Sequence, residues 1–119
     1  MRDASGCEAP WTLYCESMVS AIAFARAHDI TVVVAGQPAL PANTSGRARH
    51  DHQQQQLAAL IARQFAADSR VHYVSMREVV DTADPSKSFD RMHLNADGNH
   101  LVAQRLATAV REFAPRSAY

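Results

Sequence analysis

Helices and strands alternate along this sequence, and that alternation predicts an α/β domain built around parallel strands. Two short β-branched runs, at residues 30–35 and 71–75, are the predicted strands. Segments of helical periodicity precede, separate and follow them. Strands joined through a helix run in the same direction by right-handed crossovers, so the sheet should be parallel.

The first helix is predicted over Trp11 to His28, with Asp29 in the turn that follows. Its apolar side chains recur every three or four residues, as a helix that buries one face requires; they are Trp11, Tyr14, Met18, Ile22 and Ala25. The strand Ile30–Ala35 is almost wholly apolar, which is typical of a strand covered on both faces. Gly36-Gln37-Pro38 ends it, because proline cannot donate to a central ladder.

After a loop at 39–50, the second helix is predicted near Asp51 to Ala67. One face carries Leu57, Leu60, Ile61 and Phe65, and we expect Gln53 to Gln56 to lie on its solvated face. Val71–Ser75 is the second strand and Met76–Val80 a short helical turn, followed by a polar loop at 81–92.

The last helix is predicted over Ala96 to Phe113. Asn95 is a good N-cap, and Pro115 marks the end of the helix. Its buried stripe should consist of Val102, Leu106, Val110 and Phe113.

The sheet is expected to be incomplete in this chain. Only two strands are evident, although an apolar run such as Ile30–Ala35 usually lies between two neighbouring strands. The chain therefore resembles the second half of a larger sheet. Exposed strand edges should give it a tendency to associate.

Composition limits the classes of protein and partner. A chain of 119 residues with 47% apolar and 20% charged residues fits one globular domain. The formal net charge is zero and Arg47 and Arg49 form the one basic cluster, so nucleic acid is not an expected partner. No apolar run is long enough to span a bilayer. No signal peptide is visible, and localisation stays open.

The two cysteines, Cys7 and Cys15, leave three alternatives open: a disulfide, two buried thiols, or a bond to another partner. Their spacing is not that of a zinc or redox motif. His50-Asp51-His52 suggests a metal site, but histidines two apart on a helix do not face the same way. A helix start is the simpler interpretation, and we expect no metal and no cofactor.

Residues 90–103 carry the strongest chemical signal, with the pattern D-x-x-H-L-N-x-x-G-N-x-x-x-A. A carboxylate at Asp90 can accept the Nδ1–H of His93 and leave Nε2 free to take a proton from a nucleophile. The alternative is an acidic residue favoured near a helix start, beside a surface histidine. Gly98 favours the first interpretation, because glycine early in a helix is costly without a packing reason.

This run closely resembles the last signature block of the SGNH hydrolases, also called GDSL-type esterases and lipases. The order of helix, apolar strand with Gly36-Gln37-Pro38, helix and strand looks like the later half of such a domain. The resemblance implies a three-layer α/β/α fold of flavodoxin-like type, incomplete here. It also implies hydrolysis of a small acyl ester, with His93 as general base and Asp90 as its orienting acid.

The family's nucleophile block, Gly-Asp-Ser, has no counterpart in the sequence, and neither do its oxyanion-hole glycine and Gly-x-Asn-Asp block. The closest serine context is Ser5, which has no preceding strand to present its hydroxyl. The resemblance therefore implies an ester hydrolase whose His and Asp lie in this chain and whose serine lies upstream, with the chain alone nearly inactive. The alternatives are an acyltransferase of the same family, or a non-catalytic α/β module that binds a ligand or partner where loops 36–50 and 76–92 meet.

Overall fold

The computed structural model describes residues 7–114 and confirms an α/β chain with alternating elements. Helix α1 spans Thr12–Ala27, strand β1 Val32–Ala35, helix α2 Arg47–Gln64, strand β2 Val71–Val74 and helix α3 Ala96–Phe113. Within residues 7–114, no helix combines the length and apolarity needed to cross a membrane.

Strands β1 and β2 pair in parallel, as the alternation predicts. The register aligns Val32 with Val71 and continues to Ala35 opposite Val74. β1 is shorter than predicted, because the backbone N–H of Ile30 donates to the carbonyl of Ala25 and so completes the end of α1. The side chain of Ile30 is consequently 53% exposed.

The helices cover both faces of this small sheet. Residues at alternate positions of the strands point to opposite faces. One set, with Val34 and Tyr73, packs in the core that α1 and α2 contribute. The other set, with Val33 and Val74, packs against α3. His72 of β2 stacks on Phe113 with ring centroids 3.9 Å apart.

Three details of the helices differ from the sequence predictions. α2 begins at Arg47 rather than Asp51, and it ends at Gln64 rather than Ala67. Its first turn is polar and shows no apolar period, so the pattern places its start too late. On α3, Val110 was predicted to be buried but is 45% exposed, and Ala109 is fully buried in its place.

Cys7 and Cys15 form a disulfide, which settles the alternatives left open by their spacing. Their Cα atoms are 6.0 Å apart, within the usual range for two cysteines joined by a disulfide. The bond ties the segment before α1 to the helix, and Cys15 is fully buried in the core shared by α1 and α2.

The outer edge of β1 is free in the described part of the chain. The backbone N–H groups of Val32 and Gly36 donate to carbonyls at Arg70 and Val74, towards β2. Val33 and Ala35 therefore direct their backbone groups away from β2, and no residue within 7–114 pairs with them. Such an edge is a template for another strand.

We expect the purified chain to associate in a concentration-dependent way, measured by sedimentation velocity. Ala35→Pro removes an outward donor without breaking the ladder to β2, so it should shift the population towards monomer. Ala35→Ser is the control and should leave association unchanged. A monodisperse monomer at all concentrations would contradict the expectation.

Candidate active site

Asp90 and His93 lie in direct contact in the loop before α3. Asp90 Oδ2 is 2.6 Å from His93 Nδ1. The ring in its Nδ1–H tautomer donates to the carboxylate, which leaves the lone pair of Nε2 unshared with Asp90. The side chains are 52% and 72% exposed, so the ring can be reached from solvent.

The second oxygen of Asp90 shapes the turn that brings the two side chains together. Oδ1 accepts the backbone N–H of Met92 at 3.0 Å and that of His93 at 2.6 Å. Arg91, which lies between Asp90 and Met92, adopts a left-handed backbone conformation with φ of 66°. Its guanidinium donates to Asn43 Oδ1 at 3.1 Å, which connects the turn to the loop after β1.

The backbone of His93 is held by a short antiparallel bridge between Ser88 and Leu94. The carbonyl of His93 accepts the N–H of Phe89 at 3.1 Å and the hydroxyl of Ser88 at 2.9 Å. Ser88 is only 4% exposed, so its hydroxyl serves as a buried anchor for the loop. The imidazole is therefore fixed at both its ring and its backbone.

The start of α3 completes the support for this loop. Asn95 caps the helix as predicted, because its Oδ1 accepts the N–H of Gly98 at 3.0 Å. Its Nδ2 donates to the carbonyl of Ser86 at 2.9 Å. A Cβ at Gly98 would overlap the carbonyl oxygen of Lys87 and lie 3.1 Å from Leu94 Cβ. Gly98 thus permits α3 to approach the site loop closely.

The hydrogen bond from the His93 ring, together with the smaller effect of the backbone N–H groups of His93 and Met92, lowers the pKa of Asp90 from 3.8 to about 2. Asp90 is therefore a carboxylate at neutral pH and would stabilise an imidazolium formed by protonation at Nε2. The folded-state pKa lies below the ordinary value of 3.8, so the pairing stabilises the fold above pH 4. That contribution is lost as the pH falls towards 2.

The side-chain carbon resonance of Asp90 should titrate near pH 2 in the intact chain. His93→Ala removes the side-chain hydrogen bond that lowers the Asp90 pKa most, so the titration midpoint of Asp90 should rise towards 3.8. It should not reach 3.8, because the backbone N–H groups of residues 92 and 93 still donate to the carboxylate. Carbon-detected NMR measures this shift. Asp84, whose pKa is lowered by Ser86, is the internal reference and should not move. An unchanged midpoint for Asp90 would contradict the assignment.

His93 lines a groove of about 580 Å³ at the carboxyl ends of both strands. The two segments predicted to meet there, 36–50 and 76–92, both line the groove, and the first includes the opening turn of α2. The hydroxyl of Thr82, which is 3% exposed, joins the two loops by donating to the carbonyl of Ala39 at 2.9 Å. The lining comprises Gln37, Pro38, Leu40, His50, Thr82, Met92, His93, Leu94 and Asn99.

No serine or cysteine lines the groove among residues 7–114. The one hydroxyl in that lining, on Thr82, is buried and donates to the carbonyl of Ala39, so it is not presented to His93 as a nucleophile. Ser5, the closest match to a nucleophile context, lies outside the described residues. Asp90 and His93 can together accept and return a proton at Nε2, and they need a hydroxyl from elsewhere to form an acyl intermediate.

His50, Asp51 and His52 point to three different partners. Asp51 pairs with Arg77 at 3.0 Å, and that hydrogen bond holds the pKa of the carboxyl below its ordinary value. The ring of His52 packs edge-on against Trp11 at 5.2 Å. His50 Nε2 is 2.9 Å from Gln37 Oε1. No cluster of three metal-binding side chains occurs in the described range 7–114.

Sequence reasoning missed Gln37 and Gln54. Gln37 was interpreted only as part of the segment that ends β1, and Gln54 was placed on the solvated face of α2. The structure corrects the second interpretation, because Gln54 Oε1 accepts the backbone N–H of Gln37 at 3.1 Å and its Nε2 is buried. These contacts join residues far apart in sequence, so no local pattern signals them.

Comparison with family models, with curated proteins and with solved structures found no match to this chain.

Proposed function

We propose that this chain supplies the general base and its orienting acid to an acyl-ester hydrolase of the SGNH type. His93 is the base and Asp90 the acid. The serine and the family's oxyanion-hole glycine would come from sequence upstream of α1. The substrate would be a small acyl ester bound at the carboxyl ends of the strands.

The proposed reaction divides ester cleavage into two steps. In the first, the serine Oγ attacks the ester carbonyl while its proton passes to His93 Nε2, and the tetrahedral intermediate expels the alcohol, which takes that proton. In the second, Nε2 takes a proton from water as the water oxygen attacks the acyl-enzyme, and it returns that proton to the serine Oγ as the acyl–Oγ bond breaks and the carboxylic acid leaves. Asp90 holds the ring through Nδ1–H throughout and balances the transient positive charge.

The observation that carries this proposal is the contact of 2.6 Å between Asp90 Oδ2 and His93 Nδ1, made by a ring that also lines the groove. A purely structural histidine would not need Nε2 accessible at the junction of both strand-end loops. The exposed side chain instead leaves room for a hydroxyl to approach.

The architecture around the site is consistent with a larger three-layer domain. Helices lie on both faces of the sheet, and the outer edge of β1 is unpaired within residues 7–114. Further parallel strands added at this edge would extend the sheet and bring their carboxyl ends to the same side as the groove. A serine at the end of such a strand could then face His93.

The test begins with the coding DNA upstream of Met1 in the same reading frame. The protein extended by that sequence is purified and assayed with p-nitrophenyl acetate, with the present chain as the control. The proposal predicts a Gly-Asp-Ser segment after a strand, an enzymatic rate for the extended protein, and none for the chain alone. Absence of such a segment, or an inactive extended protein, would instead favour the non-catalytic binding module.

A further inference from the structure

Gln37 is held in the groove by two separate hydrogen bonds. Its backbone N–H donates to Gln54 Oε1 at 3.1 Å. Its side-chain Oε1 lies 2.9 Å from His50 Nε2, which in the Nε2–H tautomer is the donor. The following Pro38 restricts the backbone of Gln37 to extended conformations. Gln37 is thus held by one hydrogen bond at its backbone and by another at the end of its side chain, although the residue is exposed.

Among residues 7–114, the side chains of His50 and Gln54 make no hydrogen bond other than those to Gln37. His50 Nδ1 and Gln54 Nε2 are both buried without a hydrogen-bond partner in that part of the chain. Burying a polar atom without a hydrogen-bond partner costs free energy. We therefore expect the hydrogen bonds that these two side chains do make to hold them in place. For both residues, those bonds go to Gln37.

The backbone next to Gln37 is adapted to this arrangement. A Cβ on Gly36 would overlap the hydroxyl of Tyr73 and lie 3.1 Å from Gln54 Oε1. A Cβ at position 36 would therefore require the Tyr73 hydroxyl to move and Gln54 Oε1 to shift by a few tenths of an ångström. The absence of a side chain at Gly36 is what lets α2 reach the end of β1.

The orientation of the Gln37 amide leaves one group unused. With Oε1 occupied by His50, the two N–H groups of Nε2 have no partner within residues 7–114. Gln37 and His93 line the same groove, together with the apolar side chains of Pro38, Leu40 and Leu94. The groove therefore offers a proton acceptor, a fixed neutral donor and an apolar wall, which match the carbonyl oxygen and alkyl part of a short ester.

We propose that Gln37 is a substrate-binding residue whose side-chain amide, positioned by His50 and Gln54, donates a hydrogen bond to the carbonyl oxygen of the ester. The choice of an ester rests on the proposed function. The hydrogen bond itself involves only residues of this chain and can be measured without turnover.

The experiment titrates the full chain with ethyl butanoate and follows the side-chain N–H signals of Gln37 by NMR. Butyl ethyl ether, in which a methylene replaces the carbonyl, is the matched ligand control. The ester should shift the Gln37 amide signals and the ether should not. Gln37→Met, which keeps the length and loses the donor, should weaken ester binding about fivefold, the size of one neutral hydrogen bond. Gln55→Met, an exposed position outside the groove, should bind as the parent does.

A second set of variants tests the positioning roles. His50→Ala should weaken ester binding in the parent chain, and it should add nothing when combined with Gln37→Met, because the two residues act through one hydrogen bond. The same holds for Gln54→Ala. Independent, additive losses would show that these residues act on the fold alone and would overturn the positioning role.

The outcomes separate this inference from the proposed function. His93→Ala should leave the response of Gln37 to the ester intact, whatever it does to catalysis. If the ester shifts the ring signals of His93 and not those of Gln37, the inference is overturned and the proposed function stands. If Gln37 responds while the extended protein is inactive, the inference stands as a binding site and the proposed function fails.

Discussion

His93→Ala in the upstream-extended protein should lower kcat for p-nitrophenyl acetate by on the order of 10⁴-fold. The serine would lose its proton acceptor, and the groove has no replacement for it among residues 7–114 other than His50, whose Nε2 is engaged by Gln37. Steady-state kinetics at saturating substrate measures the change. His100→Ala, on the exposed surface of α3, is the matched control and should retain full activity.

Asp90→Asn should reduce kcat strongly as well, with little change in KM. The amide retains an oxygen to accept the N–H groups of Met92 and His93, so the turn is preserved. The group facing the ring becomes a donor, which favours the unproductive tautomer of His93. Activity within a few-fold of the parent in both variants would remove His93 and Asp90 from the mechanism.

The largest stability effect that we expect at the site comes from Gly98→Ala. Alanine is the better helix former by about 1 kcal/mol, so helix propensity alone predicts a more stable protein. The Cβ, however, would overlap the backbone carbonyl of Lys87, which cannot rotate away as a side chain could. We expect the free energy of unfolding to fall by about 1–3 kcal/mol, as in other overpacked sites.

Denaturation in urea, followed by circular dichroism, measures that change. Gly46→Ala is the control, because its Cβ would lie 3.6 Å from Leu40 Cδ1, an ordinary contact. Gly46→Ala should change the free energy of unfolding by much less than Gly98→Ala does. A Gly98→Ala protein more stable than the parent would show that α3 and the site loop are not packed closely.

The sequence predicts the α/β class and the local parts of the site because both depend on short-range patterns. The apolar period of α2 leads directly to the buried Leu57, Leu60 and Ile61. The contact between Asp90 and His93 joins residues only three apart, so turn geometry is enough to predict it. The cap at Asn95 follows from the same local rules.

Features that depend on tertiary packing were not predictable in this way. The polar first turn of α2 has no apolar period, so its true start at Arg47 was missed. Val110 fits the helical period, yet the two-stranded sheet is too narrow to cover it. Gln37 meets His50 and Gln54 across 13 and 17 residues of sequence, and only the packing of α2 beside β1 brings them together.

The protonation pattern of the His93 ring tests the central claim most directly, and it can be measured in the present chain by nitrogen-15 NMR above neutral pH. If Asp90 orients His93, the neutral ring carries its proton on Nδ1 and its lone pair on Nε2, and Asp90→Asn reverses that preference. The exposed ring of His100 provides the reference for an unconstrained histidine. A His93 ring with its proton on Nε2, indistinguishable from that reference, would contradict the assignment of His93 as a general base oriented by Asp90.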